Sequence, residues 1–247
     1  MISKEKLKEY AKYKNYNLGQ AEKDYFQELI LFILYQEFGK ELVFKGGTAL
    51  TKCYGFDRFS EDLDFTASKE GNFEEIVSRG LKRYYLDFNV ESDKGVDSLK
   101  VVYRIRGPLY INQPNSACKI ILDISVREKV LLEVDVRKIG LQIEEIPVFD
   151  VIVMCEREIF AEKVRAIITR NKARDLYDLF YLIKKGVKID IGLVNRKLDY
   201  YSMKFNLTNF RKSVNSKEVI WDKELKYLVD SYPDFNVVKK EVFGLLS

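Results

Sequence analysis

Histidine is missing from this 247-residue sequence. Ser-His-Asp and Cys-His catalysis, His-ligated zinc hydrolases and His-dependent ribonucleases all lose an essential group without it. Chemistry here must run on carboxylates, Lys, Arg, Tyr, Cys or a hard metal ion. Cysteine is scarce: Cys53, Cys118 and Cys155 are odd in number, widely spaced and form no CxxC pair, so neither a disulfide framework nor a structural zinc site is indicated. No stretch approaches the roughly 20 uninterrupted apolar residues needed to span a bilayer. The Lys-, Tyr- and Glu-rich start has no apolar signal-peptide stretch after its charges. These absences lead us to expect a cytoplasmic protein without a membrane segment. With only four prolines, no low-complexity linker and no internal repeat, the chain divides by pattern alone.

What is present suffices for a packed core, since 47% of residues are hydrophobic. The net charge of +4 is compatible with an RNA or nucleotide partner but by itself decides little. Residues 22–38 carry Phe26, Leu29, Ile30, Ile33 and Leu34 at helical spacing. Residues 42–45 form a short apolar run that ends at Gly46-Gly47, predicting a strand, a tight turn and then a helix over 49–54. A strand over 62–66, a helix over 73–88 and strands over 99–106, 119–127 and 131–136 follow. After Pro147 the pattern becomes helical, with apolar stripes at Phe160, Val164, Ile167 and Ile168, then at Leu176, Leu179, Phe180 and Ile183. The residues from 193 onward read as further helices. The expected organisation is an α/β (α+β) domain over 1–150, a mixed sheet with flanking helices, followed by a helical domain over 151–247.

Three groups of residues can carry chemistry. In Asp62-Leu63-Asp64-Phe65, residues two apart on a strand face the same side, so two carboxylates stand together while Leu63 and Phe65 enter the core. Like charges that close repel unless a cation lies between them; Mg²⁺, or Mn²⁺, suits a few carboxylate oxygens plus water and phosphates. Taken alone, such a pair is more often a solvated strand face. Upstream, Lys45-Gly46-Gly47-Thr48 opens a helix; glycines allow close approach of a phosphate, the free N–H groups of the helix start supply an anion site, and the Thr48 hydroxyl can donate to a phosphate oxygen. The plainer alternative is a Gly-Gly turn with Thr48 as a helix N-cap. Asp123, inside the apolar strand Ile120-Ile121-Leu122-Asp123-Ile124, is either ion-paired with Arg127 or Lys119, exposed at an edge, or a third metal-binding carboxylate and base.

A Gly-Gly-Thr turn, a spacer, Asp-x-Asp and a later single Asp resemble the polymerase-β-type nucleotidyltransferase superfamily. More closely, Phe44-Lys45-Gly46-Gly47-Thr48-Ala49-Leu50, Tyr54-Gly55 and Arg58-Phe59-Ser60-Glu61-Asp62-Leu63-Asp64-Phe65 are similar to the AbiEii family, the toxin half of type IV abortive-infection toxin–antitoxin systems, which includes the MenT toxins. Residues 158–163, Arg165-Ala166 and Arg174-Asp175-Leu176-Tyr177-Asp178-Leu179 resemble that family's late motifs. The resemblance spans roughly residues 42–183, with the first block the more specific.

That resemblance implies a nucleotidyltransferase-type fold, with Gly46, Gly47 and Thr48 on a triphosphate and Asp62 and Asp64 on metal. It also places Lys163 and Asp175 at the active site, with the lysine on nucleotide phosphates; because spacing within this late block varies in the family, Asp178 is the alternative for the role given to Asp175. Against this stand the plainer readings: Asp175 and Asp178 as N-cap and N3 of a helix, and Lys163 as a snorkelling surface lysine. The expected reaction moves an NMP from an NTP to a hydroxyl acceptor, with one Mg²⁺ between the triphosphate and Asp62/Asp64, a second shared with Asp123 that activates the acceptor hydroxyl, and Lys163 and Arg58 neutralising phosphate charge. The resemblance further implies an RNA acceptor, the 3′ end of tRNA, and a cognate antitoxin. Lys163, Arg165, Arg170, Lys172 and Arg174 are either part of an acceptor surface or a solvated helix face. Nucleotidylation of a protein side chain and nucleotide-dependent regulation without turnover remain the competing readings.

Overall fold

The computed structural model describes residues 2–140 and 146–244. Helices α1 (Lys4–Lys14) and α2 (Leu18–Glu37) lead into strand β1 (Leu42–Lys45), helix α3 (Gly46–Tyr54), strand β2 (Asp62–Ala67) and helix α4 (Phe73–Arg83). Strands β3 (Phe88–Lys94), β4 (Ser98–Ile105), β5 (Cys118–Ser125), β6 (Asp135–Ile139) and β7 (Phe149–Val153) follow. The rest is helical: α5 (Glu156–Thr169), α6 (Ala173–Lys184), α7 (Ile191–Asp199), α8 (Leu207–Asn215), α9 (Trp221–Leu225) and α10 (Phe235–Gly244). Among the described residues the strands form one seven-stranded mixed sheet in the order β3-β4-β5-β2-β1-β7-β6. The α/β class with flanking helices and a helical C-terminal half is therefore present.

The chain divides into two compact units that are not continuous in sequence. The first holds the sheet and α1 to α3, with α4. The second holds everything from Met154 onward, together with two excursions from the earlier chain, Tyr54–Ser60 and Val130–Glu133.

In the sheet unit, Phe44 pairs with Phe65, Leu63 with Leu122, and Leu122 with Val101, so these apolar side chains share one face. Tyr103 lies on that face too, and its hydroxyl donates to the Glu74 carbonyl of α4 at 2.8 Å; α4 therefore covers the apolar side. Gly80 of α4 lets α2 come close, since a Cβ there would lie 2.5 Å from Ile33 Cγ2. The α2 helix starts four residues earlier than its apolar stripe predicts. The reason is a reciprocal capping box in which the Asn17 and Gln20 side chains each accept the other's amide.

Two expected elements are corrected. The helix over 73–88 stops at Arg83: Tyr85 adopts φ +55° and the Leu86 amide returns to the Leu81 carbonyl, after which the chain re-enters as β3, antiparallel to β4. The strand expected over 131–136 begins only at Asp135. The amides of Leu131 and Leu132 donate to the Glu158 carboxylate at 2.8 Å each, so they are not available to a sheet ladder. In the helical unit, Trp221 anchors the core, with Phe235 and Tyr177 rings 5.8 and 6.4 Å away.

Candidate active site

Alternation along β2 does what period two requires: Leu63 and Phe65 are buried, while Asp62 and Asp64 are partly open on the other face. Register then extends that face. Lys45 pairs with Asp64 across β1, Asp64 with Asp123 across β5, and Asp123 with Lys100 across β4. Residues in register point to the same side, so Lys45, Asp64, Asp123 and Lys100 form a row in which two neighbouring carboxylates are flanked by two lysines, with Asp62 beside it. Asp123 is exposed and shares the face of Asp62 and Asp64.

The Gly-Gly turn is pressed against this row. Gly46 has φ +78°, and a Cβ on it would sit 2.2 Å from Asp64 Oδ2. Backbone and carboxylate thus meet where any side chain would intrude. The α3 helix starts at Gly46 itself, earlier than the 49–54 expected. Thr48 is consequently inside the helix, not its N-cap. It is buried, and its hydroxyl donates to the Asp62 carbonyl. The proton expected to reach a phosphate instead ties the turn to the first residue of β2.

Two buried charge groups adjoin the turn. Lys45, the residue before it, pairs with Glu128 at 3.0 Å, and both are nearly inaccessible. Lys52 of α3 lies 2.6 Å from Asp24 and 3.3 Å from Glu28 of α2, and the Tyr10 hydroxyl of α1 also donates to Asp24. Sequence reasoning passed over these residues. The only local signal was a lysine immediately before a glycine pair, and Glu128 lies 83 positions away. Thiol chemistry is disfavoured: burial pushes both Cys53 and Cys118 up to about 12.

Lys163, Asp175, Asp178 and Arg58 gather with one another in the helical unit. Lys163 Nζ lies 3.0 Å from Asp175 and 2.7 Å from Asp178. Arg58 grips Asp178 with Nε and Nη2 at 2.5 and 2.8 Å, and Arg170 grips Asp175 at 2.7 and 2.8 Å. The result is a chain of alternating charge, Arg58–Asp178–Lys163–Asp175–Arg170. Both aspartates are fully buried. Burial alone would raise their carboxyls, but Lys163 and Arg170 hold Asp175 well below the usual carboxylate range, and Arg58 and Lys163 do the same for Asp178. Neither aspartate is an N-cap, because Lys172 holds that position and Asp175 is N3. Lys163 is 6% exposed and so is no surface lysine. The surface-lysine reading gives way to a buried ion network, while of the capping reading Asp175 keeps its N3 place in the first turn of α6 and Asp178 lies beyond it.

A model of the AbiEii nucleotidyl transferase toxins of type IV toxin–antitoxin systems matches residues 30–240. The chain belongs to that family. No curated protein matches it. Among solved structures, MenT4, a nucleotidyltransferase toxin from Mycobacterium tuberculosis, is similar with TM-score 0.68 and 22% identity over 100% of this chain and 89% of that one. JHP933 from Helicobacter pylori is similar with TM-score 0.62 and 22% identity over 92% and 89%. At such identities the likeness concerns the fold.

In this AbiEii chain the basic stretch around α5 and α6 is only partly available to an acceptor. Lys163 is inside the ion network, and Arg165 lies over the Tyr201 ring at 5.1 Å with Nη1 donating to its hydroxyl at 2.9 Å. Arg170 and Lys172 are exposed. No helix among the described residues is long and apolar enough to cross a membrane.

Among the described residues no set of three or more Asp, Glu or Cys side chains is drawn together as a ready metal cage. Mg²⁺ asks for less. It takes one or two carboxylates and completes its shell with water and substrate phosphates. The paired Asp62 and Asp64, beside a turn kept clear of any Cβ, are a donor set of that kind.

Proposed function

We propose that this AbiEii chain moves a nucleoside monophosphate from an NTP to a hydroxyl on RNA, at the 3′ end of tRNA, releasing pyrophosphate, and that a cognate antitoxin restrains it. The observation that carries the reading is the approach of Gly46 to Asp64, with Asp62 and Asp123 on the same face. Backbone N–H groups at the start of α3 would receive the triphosphate, and the absence of a Cβ at Gly46 lets a phosphate lie against backbone. Asp62 and Asp64 would hold Mg²⁺ or Mn²⁺, joined by Asp123. When bound there, the metal supplies charge neutralisation for the triphosphate and a lowered pKa for the attacking hydroxyl. Asp123 would accept that hydroxyl's proton. The family resemblance also puts Lys163 and Asp175 at the nucleotide. For that role Lys163 would exchange one aspartate for a phosphate oxygen.

The test is to incubate the protein with each labelled NTP, Mg²⁺ and total RNA, with Asp64→Asn as control. Label at an RNA 3′ end, lost in the variant, is the expected result. Label on a polypeptide would overturn the RNA acceptor. Binding of an NTP without any transfer would overturn the enzymatic reading.

A further inference from the structure

Residues 54–60 join the two motifs of the candidate site: they leave α3 and return as β2. They group with the helical unit rather than the sheet, and several hydrogen bonds hold them there. Besides the Arg58–Asp178 fork, the Tyr177 hydroxyl donates to Asp57 at 2.9 Å and the Tyr181 hydroxyl donates to the Gly55 carbonyl at 2.7 Å. The Phe59 amide donates to the Leu228 carbonyl at 2.8 Å, and Lys185 reaches the Tyr54 carbonyl at 2.8 Å.

Arg58 itself was expected on a phosphate. Its third nitrogen, Nη1, donates to the Phe59 carbonyl at 2.9 Å, so all three guanidinium nitrogens have partners within the chain, and the residue is 2% exposed. A planar fork engaged on a carboxylate in this way fixes backbone position rather than recruiting an anion.

The position it fixes matters because of where β2 begins. Asp62 is the first residue of the strand, and the last β1 pair is Lys45 with Asp64. At Asp62 the neighbouring chain has already turned into α3. On that side the Thr48 hydroxyl donates to its carbonyl and the Gln27 amide donates to the Glu61 carbonyl at 2.9 Å, and the segment before Glu61 comes from the helical unit.

We propose that Arg58 and Asp178 are positioning residues for nucleotidyl transfer, mooring the 54–60 segment so that Asp62 is set against the Gly46-Gly47 turn. The late motif thus acts on the reaction, at least through Asp178, by holding the chain between the two early motifs. The inference rests on the proposed transfer activity for its kinetic consequence but not for its structural one.

Asp178→Asn takes a charge from between buried Arg58 and Lys163 and so lowers stability as well, and the primary variant is therefore Tyr177→Phe with Tyr181→Phe. It removes two bonds to the segment and strands no buried charge. Hydrogen exchange, which needs no substrate, is read first. Faster exchange in this variant at residues 46–48 and 62–64, as well as at 54–60, is expected; acceleration confined to 54–60 overturns the proposal. In turnover, kcat should fall by about tenfold to a hundredfold, the range typical of misplaced reacting groups, with the KM for NTP little changed. Asp178→Asn and Arg58→Met should show the same split, and the double variant should be no worse than either single one. A lower KM for NTP in Asp178→Asn, from a freed Arg58, would instead make Arg58 a phosphate ligand and overturn the proposal. If wild-type protein transfers nothing, the function reading fails while the exchange result still decides the mooring.

Discussion

Gly46 meets two demands together: a left-handed backbone at φ +78° and a carboxylate oxygen where its Cβ would be. The first costs an L-residue roughly 1–2 kcal/mol, and the second adds a collision specific to Asp64. Gly46→Ala should therefore destabilise the protein by more than the backbone term, and the excess should shrink when Asp64→Ala is added. Denaturant unfolding of the two single variants and the double variant measures this coupling; strict additivity would mean that Asp64 does not rest on the turn. Glu28 makes a different prediction. Its Oε2 is buried without a hydrogen-bond partner, and burial pushes its carboxyl above the ordinary value, with Lys52 opposing and Asp24 adding. The folded state thus holds this proton more tightly than the unfolded chain, in which glutamate titrates near about 4.3, and the group costs stability as pH rises past that value. Glu28→Gln should raise Tm near neutral pH and change it little in mild acid. A gain that is the same at both pH values would show that the uncharged isostere merely packs better.

At the scale of elements, the buried ion chain joins α5 to α6. Removing Lys163 by Lys163→Met leaves Asp175 and Asp178 facing each other without their shared cation, and breaking a buried pair in this way costs about 3–5 kcal/mol. Tm should fall accordingly, so a loss of activity in that variant cannot by itself assign Lys163 to the nucleotide; NTP affinity measured below the melting range can. An unchanged Tm would mean the network is not formed in solution. The sequence made the carboxylate face legible because period two is a local property: Asp62 and Asp64 declared their side, and Ile120, Leu122 and Ile124 declared that of Asp123. The β3 strand was not legible, because Phe88-Asn89-Val90-Glu91-Ser92-Asp93-Lys94 is an exposed edge of residues that sheets generally avoid. Residues 131–134 looked like strand because apolar pattern cannot reveal that Glu158, 27 positions later, takes the amide of Leu131. Arg58 showed the same limit. A motif arginine announces that it binds an anion, and nothing nearby says that the anion is Asp178, 120 positions on.

For the whole molecule, the depressed carboxyls of Asp175 and Asp178 set an acid limit. Their contribution is fully present above the unfolded aspartate value of about 3.9 and is lost as pH falls below it toward the folded values. Unfolding free energy followed by urea titration should drop steeply in that window, and Asp178→Asn should flatten the drop; an equal slope in both proteins would remove Asp178 from the acid response. The interleaving of the two units has a consequence for biosynthesis. Arg58 emerges from the ribosome 120 residues before Asp178, and Phe59 emerges well over 150 residues before the Leu228 carbonyl it donates to. At ordinary elongation rates the first gap alone lasts on the order of ten seconds. Throughout that interval a nascent chain carries both the Gly-Gly turn and the aspartate pair with nothing to anchor the segment between them. A product terminated before Asp178 would be left in the same condition, so on the proposed mooring the two early motifs are set against each other only after the helical unit has been made.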